Sequence, residues 1–463
     1  MKITFIRPHL MDTRAADAME PLAFAILAGL TPPHVELDFF DERLELIPGD
    51  HDTDLVALSV GTFTARRAYQ IAAHFRQRGT PVVMGGYHPS FLPEEALTYA
   101  DAIVIGEAEE IWEQLVRDVQ RGKLQPVYRQ SKQSCLDGLR FDRSIFKGKR
   151  YKPLVPVQYG RGCRFACDFC SIYAFYGSQP HQRPVAEVVA EIEALDRKYI
   201  LFVDSNLFVD IPRTEELFRA LIPLNIHWAG QLSINVARNA QLMDLMAKSG
   251  CFAALIGFES LNEDNLKQIN KGWNLKDGDY ATAVREFRER GIMIYASFIF
   301  GCDHDTVDSF DITVEFAIRS KFALANFSEL TPTPGSRFYN QLMSENRLVF
   351  ERWWIDPGYR YGQATYNPRG MTADELTEGC LRARKMFYGY GSILKRALDP
   401  LANSSNPYHL GAFLIGNFIT RRELSHKLGY RLGADTPLEP RLENVPIQLT
   451  SSKGLGLGTA TGR

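Results

Sequence analysis

Three cysteines in one short stretch, Arg161-Gly162-Cys163-Arg164-Phe165-Ala166-Cys167-Asp168-Phe169-Cys170, are the residues of this 463-residue chain best placed to do chemistry. The spacing Cys-x3-Cys-x2-Cys puts three thiolates on one small loop. Soft sulfur ligands suit iron–sulfur centres, and Cys163, Cys167 and Cys170 can bind three irons of a [4Fe–4S] cluster, leaving the fourth iron open to a ligand that is not protein. The competing reading is a zinc loop. Structural zinc sites close with four ligands, and no Cys or His falls within the next ten residues. A third reading is a non-catalytic iron–sulfur redox protein. Electron carriers also close their cluster with four protein ligands, so an open iron favours catalysis.

The elements that must position this loop follow from apolar runs alternating with helical periodicity. Lys2 to Arg7, Val35 to Phe40, Asp54 to Ser59, Pro81 to Gly85 and Ala102 to Gly106 read as strands. Ala65 to Arg78 and Ala108 to Gln120 read as helices between them. Strands alternating with helices predict a parallel, doubly wound α/β domain over residues 1–125, with a crevice at the carboxyl ends of its strands. Ser59, Gly85, Gly86 and Gly106 fall at those ends, where glycine lets a ligand approach the backbone closely. Residues 126–152, rich in basic and polar residues, read as a linker. From 153 to 340 the alternation resumes. Leu154 to Tyr159 leads into the cysteine loop, and strands follow at 200–204, 226–232, 252–257, 293–301 and 322–330. Helices are expected at 185–199, 214–224, 240–249, 278–290 and 306–319. Six such units predict a partial (β/α)6 barrel, whose chemistry sits on the loops at the carboxyl ends of its strands. The cysteine loop lies at such an end.

On these residues the chain resembles the radical SAM enzymes. Cys163, Cys167 and Cys170 match that family's signature, and Phe169 is the aromatic it favours before the third cysteine. The resemblance implies that S-adenosylmethionine (SAM) binds the open iron and is cleaved to methionine and a 5′-deoxyadenosyl radical. It also implies SAM contacts on the same rim: Glu259 and Arg238 toward the methionine part and Ser233 toward the ribose. Asp204, Asn206 and Thr331 stand at neighbouring strand ends. Asp204-Ser205-Asn206 replaces the usual Gly-Gly-Glu after the second strand. Asp54 to Glu110 resembles the cobalamin-binding domain that precedes the barrel in one large subgroup, through Gly85-Gly86-Tyr87-His88-Pro89 and Gly106-Glu107-Ala108-Glu109. The Asp-x-His-x-x-Gly motif of many such domains occurs nowhere, so cobalamin is a possible rather than a required third cofactor. His9 and His88 read as loop or core histidines. With cobalamin bound, the resemblance implies methyl transfer to an unactivated carbon of a small molecule or natural product. Without it, it implies a radical dehydratase or epimerase acting on a sugar or aminoglycoside-like substrate.

The C-terminal region, 341–450, is expected to be mainly helical, with helices at 375–386 and 407–427. The first of these should lie across the barrel mouth. The aromatic run Phe350, Trp353, Trp354, Tyr359 and Tyr361 reads as core, with a substrate wall as the functional alternative. Residues 451–463 read as a disordered tail. Asp303-His304-Asp305 reads as a helix start, with Asp305 as its cap. Cys135, Cys251, Cys302 and Cys380 read as buried small hydrophobes. The formal net charge of −2 and the absence of an appended RNA-binding motif give no case for nucleic acid. No run approaches a membrane span, and the N-terminus lacks a signal-peptide layout, so a cytoplasmic location is expected. A small-molecule substrate and an external electron donor (a flavodoxin, ferredoxin or reductase) complete the expected partners.

Overall fold

The computed structural model describes residues 1–11, 15, 18–275 and 279–438. The expected tail at 451–463 lies outside them. Strands β1 (Lys2–Arg7), β2 (Glu36–Asp41), β3 (Leu55–Ser59), β4 (Val82–Gly85), β5 (Ala102–Ile105) and β6 (Val127–Arg129) form a parallel sheet in the order β2-β1-β3-β4-β5-β6. The order reverses between β1 and β3, and a ligand crevice is expected at that switch point. Leu55 to Leu58 is buried throughout, as a strand covered on both faces requires. Helices α1 (Leu22–Leu30) and α3 (Trp112–Gln120) cover one face, and α2 (Ala65–Gln77) covers the other. The sequence reading did not place α1. Its residues, Leu-Ala-Phe-Ala-Ile-Leu-Ala-Gly-Leu, are apolar all round and give no amphipathic period.

The expected linker is partly sheet. Val127–Arg129 pairs in parallel with β5, and Phe146 packs edge-on against Phe39 with centroids 5.5 Å apart. A three-residue edge strand is too short to carry a readable alternation.

The second sheet runs in chain order through β7 (Val155–Val157), β8 (Tyr199–Phe202), β9 (His227–Leu232), β10 (Cys251–Glu259), β11 (Met293–Phe300) and β12 (Leu324–Glu329). All neighbours are parallel, and β7 does not pair with β12, so this is the partial barrel. Between its strands lie α4 (Val185–Leu195), α5 (Ile211–Leu221), α6 (Ala240–Lys248), α7 (Tyr280–Glu289) and α8 (Asp308–Arg319). Helix α4 stops four residues before the expected Tyr199. Asp196 takes a left-handed conformation (φ 45°), which ends the helix and frees the chain to enter β8.

The C-terminal region carries the helices α9 (Ala373–Phe387), α10 (Tyr390–Ala397) and α11 (Pro407–Lys427). Helix α9 packs on α8 and on β12, the last strand. The reason is the open edge of the sheet, whose backbone groups need partners. The Tyr388 hydroxyl donates to the Ala325 carbonyl at 2.9 Å and accepts from its N–H at 3.2 Å. Arg396 and Asn417 donate to the Ala323 carbonyl at 2.8 and 3.0 Å.

The aromatic run is core, and the core is that of the first domain. Trp353, Trp354 and Tyr359 are buried against β3, β4 and α2. Trp354 Nε1 donates to Glu95 Oε1 at 2.8 Å. Asp305 is not a helix cap. Its carboxylate folds back to accept the N–H groups of Gly301 and Cys302, at 2.9 and 3.0 Å, and the Asn265 amide at 2.8 Å. Cys251, Cys302 and Cys380 are buried, whereas Cys135 is exposed.

Candidate functional site

The cysteine loop follows β7 and begins in a two-stranded ribbon, Gly160–Arg161 paired antiparallel with His181–Gln182. Gly162 then turns the chain with φ 79°. A Cβ there would sit 3.2 Å from Pro180 Cα, in a conformation side chains rarely adopt. All three thiols are free, with Cys167 buried and Cys163 and Cys170 half-buried. The loop is fastened to the segment after β10. Asp168 N–H donates to the Ile269 carbonyl at 3.2 Å, the Asn270 amide donates to the Ala166 carbonyl at 2.9 Å, and Phe165 stacks on Trp273. Burial pushes the Cys167 thiol up to about 12, against the pull of the Lys271 ammonium. An iron centre fits such thiols, because coordination deprotonates a thiol outright. Among the described residues no three His, Cys, Asp or Glu side chains converge to hold a single ion. A [4Fe–4S] cluster makes no such demand, since each thiolate binds a different iron.

The rim residues separate into groups. Asn206 reaches a cysteine of the loop, its amide 3.8 Å from Cys163 Sγ and 3.4 Å from Ser233 Oγ. Asp204 is buried, accepting the N–H groups of Tyr159, at 3.0 Å, and Gly160. Burial pushes its carboxyl up to about 7, although those N–H groups favour the charged form. Asp204 therefore anchors the backbone that leads into the cysteines. Glu259, at the end of β10, has φ 62° and pairs with buried Lys271 at 2.6 Å. A non-glycine residue held left-handed at a strand end is a strained position of the kind that clusters at functional sites. Arg238 donates to the Asn274 carbonyl at 3.3 Å and lines a second cavity of about 260 Å³ with Asn274, Asp279 and Glu286. Thr331 donates to the Glu329 carbonyl at 3.4 Å. Lys271 escaped the sequence reading. It lies in a loop, twelve positions from the carboxylate it neutralises, and no spacing rule links the two.

A cavity of about 290 Å³ opens at the carboxyl ends of β3, β4 and β5. Ser59, Gly85, Gly86 and Gly106 all line it, together with Gly61, where a Cβ would meet nothing within 4 Å. Its far wall belongs to the second domain: Gln158, Arg161, Phe175 and Tyr176. The glycine-rich floor and apolar sides fit the cofactor of a doubly wound domain. His9 and His88 are buried and do not line the cavity. His88 Nε2 lies 2.9 Å from the Tyr69 hydroxyl and 3.2 Å from Glu95. Burial lowers the His9 imidazole to about 4, leaving it neutral.

A doubly wound domain with a glycine-floored crevice, joined to a six-stranded partial barrel with a three-cysteine loop at its rim, defines a cluster enzyme with a second cofactor domain. Comparison with known proteins agrees. Residues 157–317 match the radical SAM superfamily, and residues 19–116 match the B12 binding domain. The bacteriochlorophyllide d C-12(1)-methyltransferase of Chlorobaculum tepidum is 30% identical over 389 residues, 81% of this chain and 84% of that protein. The hopanoid C-2 methylase of Rhodopseudomonas palustris is 24% identical, covering 74% of this chain and 67% of that one. The radical SAM methyltransferase TsrM of Kitasatospora setae, solved with cobalamin and a [4Fe–4S] cluster, aligns at a TM-score of 0.61 and 17% identity, over 92% of this chain and 98% of TsrM. The chain belongs to the radical SAM superfamily and carries a B12 binding domain ahead of its barrel. It is an enzyme whose cofactors are a [4Fe–4S] cluster and SAM, with cobalamin supported by its first domain. No helix among the described residues is long and apolar enough to cross a membrane.

Proposed function

We propose that this protein is a cobalamin-dependent radical SAM methyltransferase that methylates an unactivated carbon of a small molecule. The observation that carries the reading is the shared cavity, floored by the first domain and walled by the residues leading into Cys163. The relatives named above add weight, being methyltransferases that the chain matches across both domains. The cluster and SAM supply a carbon-centred radical, and cobalamin supplies the methyl group. The chain's own part is to bind, orient and exclude water. Cys163, Cys167 and Cys170 hold the cluster. Asn206 and Ser233 border it, and the Glu259–Lys271 pair presents a buried charge couple to SAM. Ser59, Gly85, Gly86 and Gly106 let the corrinoid approach the backbone. An external one-electron donor supplies the reductant.

The test is anaerobic reconstitution with iron, sulfide and hydroxocobalamin, then incubation with SAM, reductant and candidate tetrapyrrole or other polycyclic substrates. Stoichiometric cobalamin together with methylated product is the expected result. 5′-Deoxyadenosine from a protein that retains no cobalamin would move the assignment to the cobalamin-free dehydratase or epimerase branch. Absence of 5′-deoxyadenosine under every condition would remove the enzyme from the radical class.

A further inference from the structure

The partition between the crevice and the cysteine loop is built from charged residues that the sequence reading left without a role. Arg161 lies two residues before Cys163 and is buried. Its Nη1 donates to Glu107 Oε1 at 2.6 Å, its Nη2 pairs with Glu109 at 2.6 Å, and its Nε donates to Gln158 at 2.9 Å. Glu107 and Glu109 sit on the loop after β5, in the first domain. The Glu107 carboxylate is gripped from its own side by the Gln130 amide at 3.0 Å and the Ser134 N–H at 3.1 Å. From the other side it meets both Arg161 and His181, whose Nε2 lies 3.2 Å away. Arg161 and His181 are directly opposite each other in the ribbon. One first-domain carboxylate therefore holds both strands of the element that opens the cysteine loop. Asp204 holds the same element from the barrel side, through the N–H groups of Tyr159 and Gly160.

Glu107, Glu109 and Arg161 also line the crevice cavity. A shift of the first domain would thus be transmitted to Cys163 through one turn of chain. A buried pair between two domains adds little net stability once desolvation is counted, but it penalises every misregistered arrangement, because each would leave a buried charge unpaired. Registry is therefore what this cluster secures.

We infer that Glu107 and Arg161 are positioning residues that fix the separation between the group bound in the crevice and the cluster, so that radical formation and group transfer stay coupled. The coupling rests on the proposed function, whereas the mechanical link to the cysteine loop does not.

The experiment compares the full-length holoenzyme with Glu107→Gln and Arg161→Gln, and with Glu107→Asp as the charge-preserving control. The expected result is iron and cobalamin contents near wild type, with the ratio of 5′-deoxyadenosine to methylated product raised about ten-fold or more, since small misplacements of reacting groups are costly. Glu107→Asp should recover much of the coupling. Hydrogen–deuterium exchange on the same variants without cofactors gives a readout independent of activity. Exchange should rise in residues 158–163 and 104–110 and stay unchanged in β11. A wild-type product ratio, or exchange confined to 104–110, overturns the inference. A wild-type enzyme that makes no methylated product yet shows the expected exchange pattern in its variants would reject the proposed function and leave the mechanical link standing.

Discussion

Phe165 and Trp273 lie face to face, their ring centroids 3.6 Å apart and their planes within 8°. Phe165 belongs to the cysteine loop and Trp273 to the segment after β10, so the stack ties the first two cysteines to the strand end that carries Glu259. Aromatic pairs contribute about 0.5–1.5 kcal/mol beyond burial. Trp273→Ala should therefore leave the far-UV spectrum intact and speed iron loss to a chelator roughly two- to ten-fold. Unchanged iron retention would mean that the backbone bonds of the loop suffice.

Cys163, Cys167 and Cys170 act as a set. Replacing any one with Ala should abolish both the brown absorbance of the reconstituted protein and SAM cleavage, because a two-thiolate loop leaves two irons without protein ligands. Retention of both properties would exclude this loop as the cluster site. Cys251→Ala, buried in the barrel core, serves as the control and should keep both.

Lys271 and Glu259 form a buried pair. Lys271→Met leaves the carboxylate without its partner and should cost about 3–5 kcal/mol in denaturant unfolding. The double variant Lys271→Met, Glu259→Gln should regain much of that stability while remaining impaired in SAM binding. If the single and double variants unfold together, the pair contributes no coupling to stability.

Acid should detach the C-terminal segment from the first domain. Burial pushes the Glu95 carboxyl up, but His88, the Arg352 guanidinium and the Trp354 indole N–H outweigh it and hold it at about 2. Its folded value is depressed, so the stability it contributes is present above about 4.5, its ordinary value, and is lost as pH falls toward about 2. The near-UV circular dichroism contributed by the buried Trp353 and Trp354 should be lost across that window, with the remaining tryptophan signal retained. Glu95→Gln should be less stable than wild type at neutral pH and flatter across the same range.

His9 offers a sharp negative prediction. It is buried, held neutral and outside the crevice cavity. His9→Gln should bind cobalamin as the wild type does. Loss of cobalamin from a folded His9→Gln protein would give that histidine a role in the crevice.

The first sheet was legible because β1, β3, β4 and β5 are almost continuously buried and read as short apolar runs, whereas the barrel strands β9 and β12 bury every second residue. Helix α11 was legible to the residue, with Pro407 at its first turn and Asn406 capping it. The crevice residues Ser59, Gly85, Gly86 and Gly106 follow from topology, since strand ends in such sheets converge. What escaped depends on contacts distant in sequence. Glu107 and Arg161 are separated by 54 positions and meet only because two domains dock. Trp353 and Trp354 were identifiable as core, but nothing local says whose core. Helix α1 hid because it lacks a polar face.

The return of Trp353, Trp354, Tyr359 and Leu432 to the core beside β3 and α2 bears on how the chain is made. Gln70 donates to the carbonyls of Ala434 and Thr436 at 2.9 and 2.7 Å, and the Gly433 N–H donates to the Leu10 carbonyl at 2.8 Å. On the ribosome, the first sheet emerges before the barrel yet waits for residues 259 to 366 positions later, Trp354 against Glu95 and Thr436 against Gln70, to seal one of its faces. At about 5–20 residues per second, that apolar face stays open for tens of seconds. Nascent chains halted after the barrel should therefore hold a chaperone on the first domain, and release it only once the returning segment has cleared the exit tunnel.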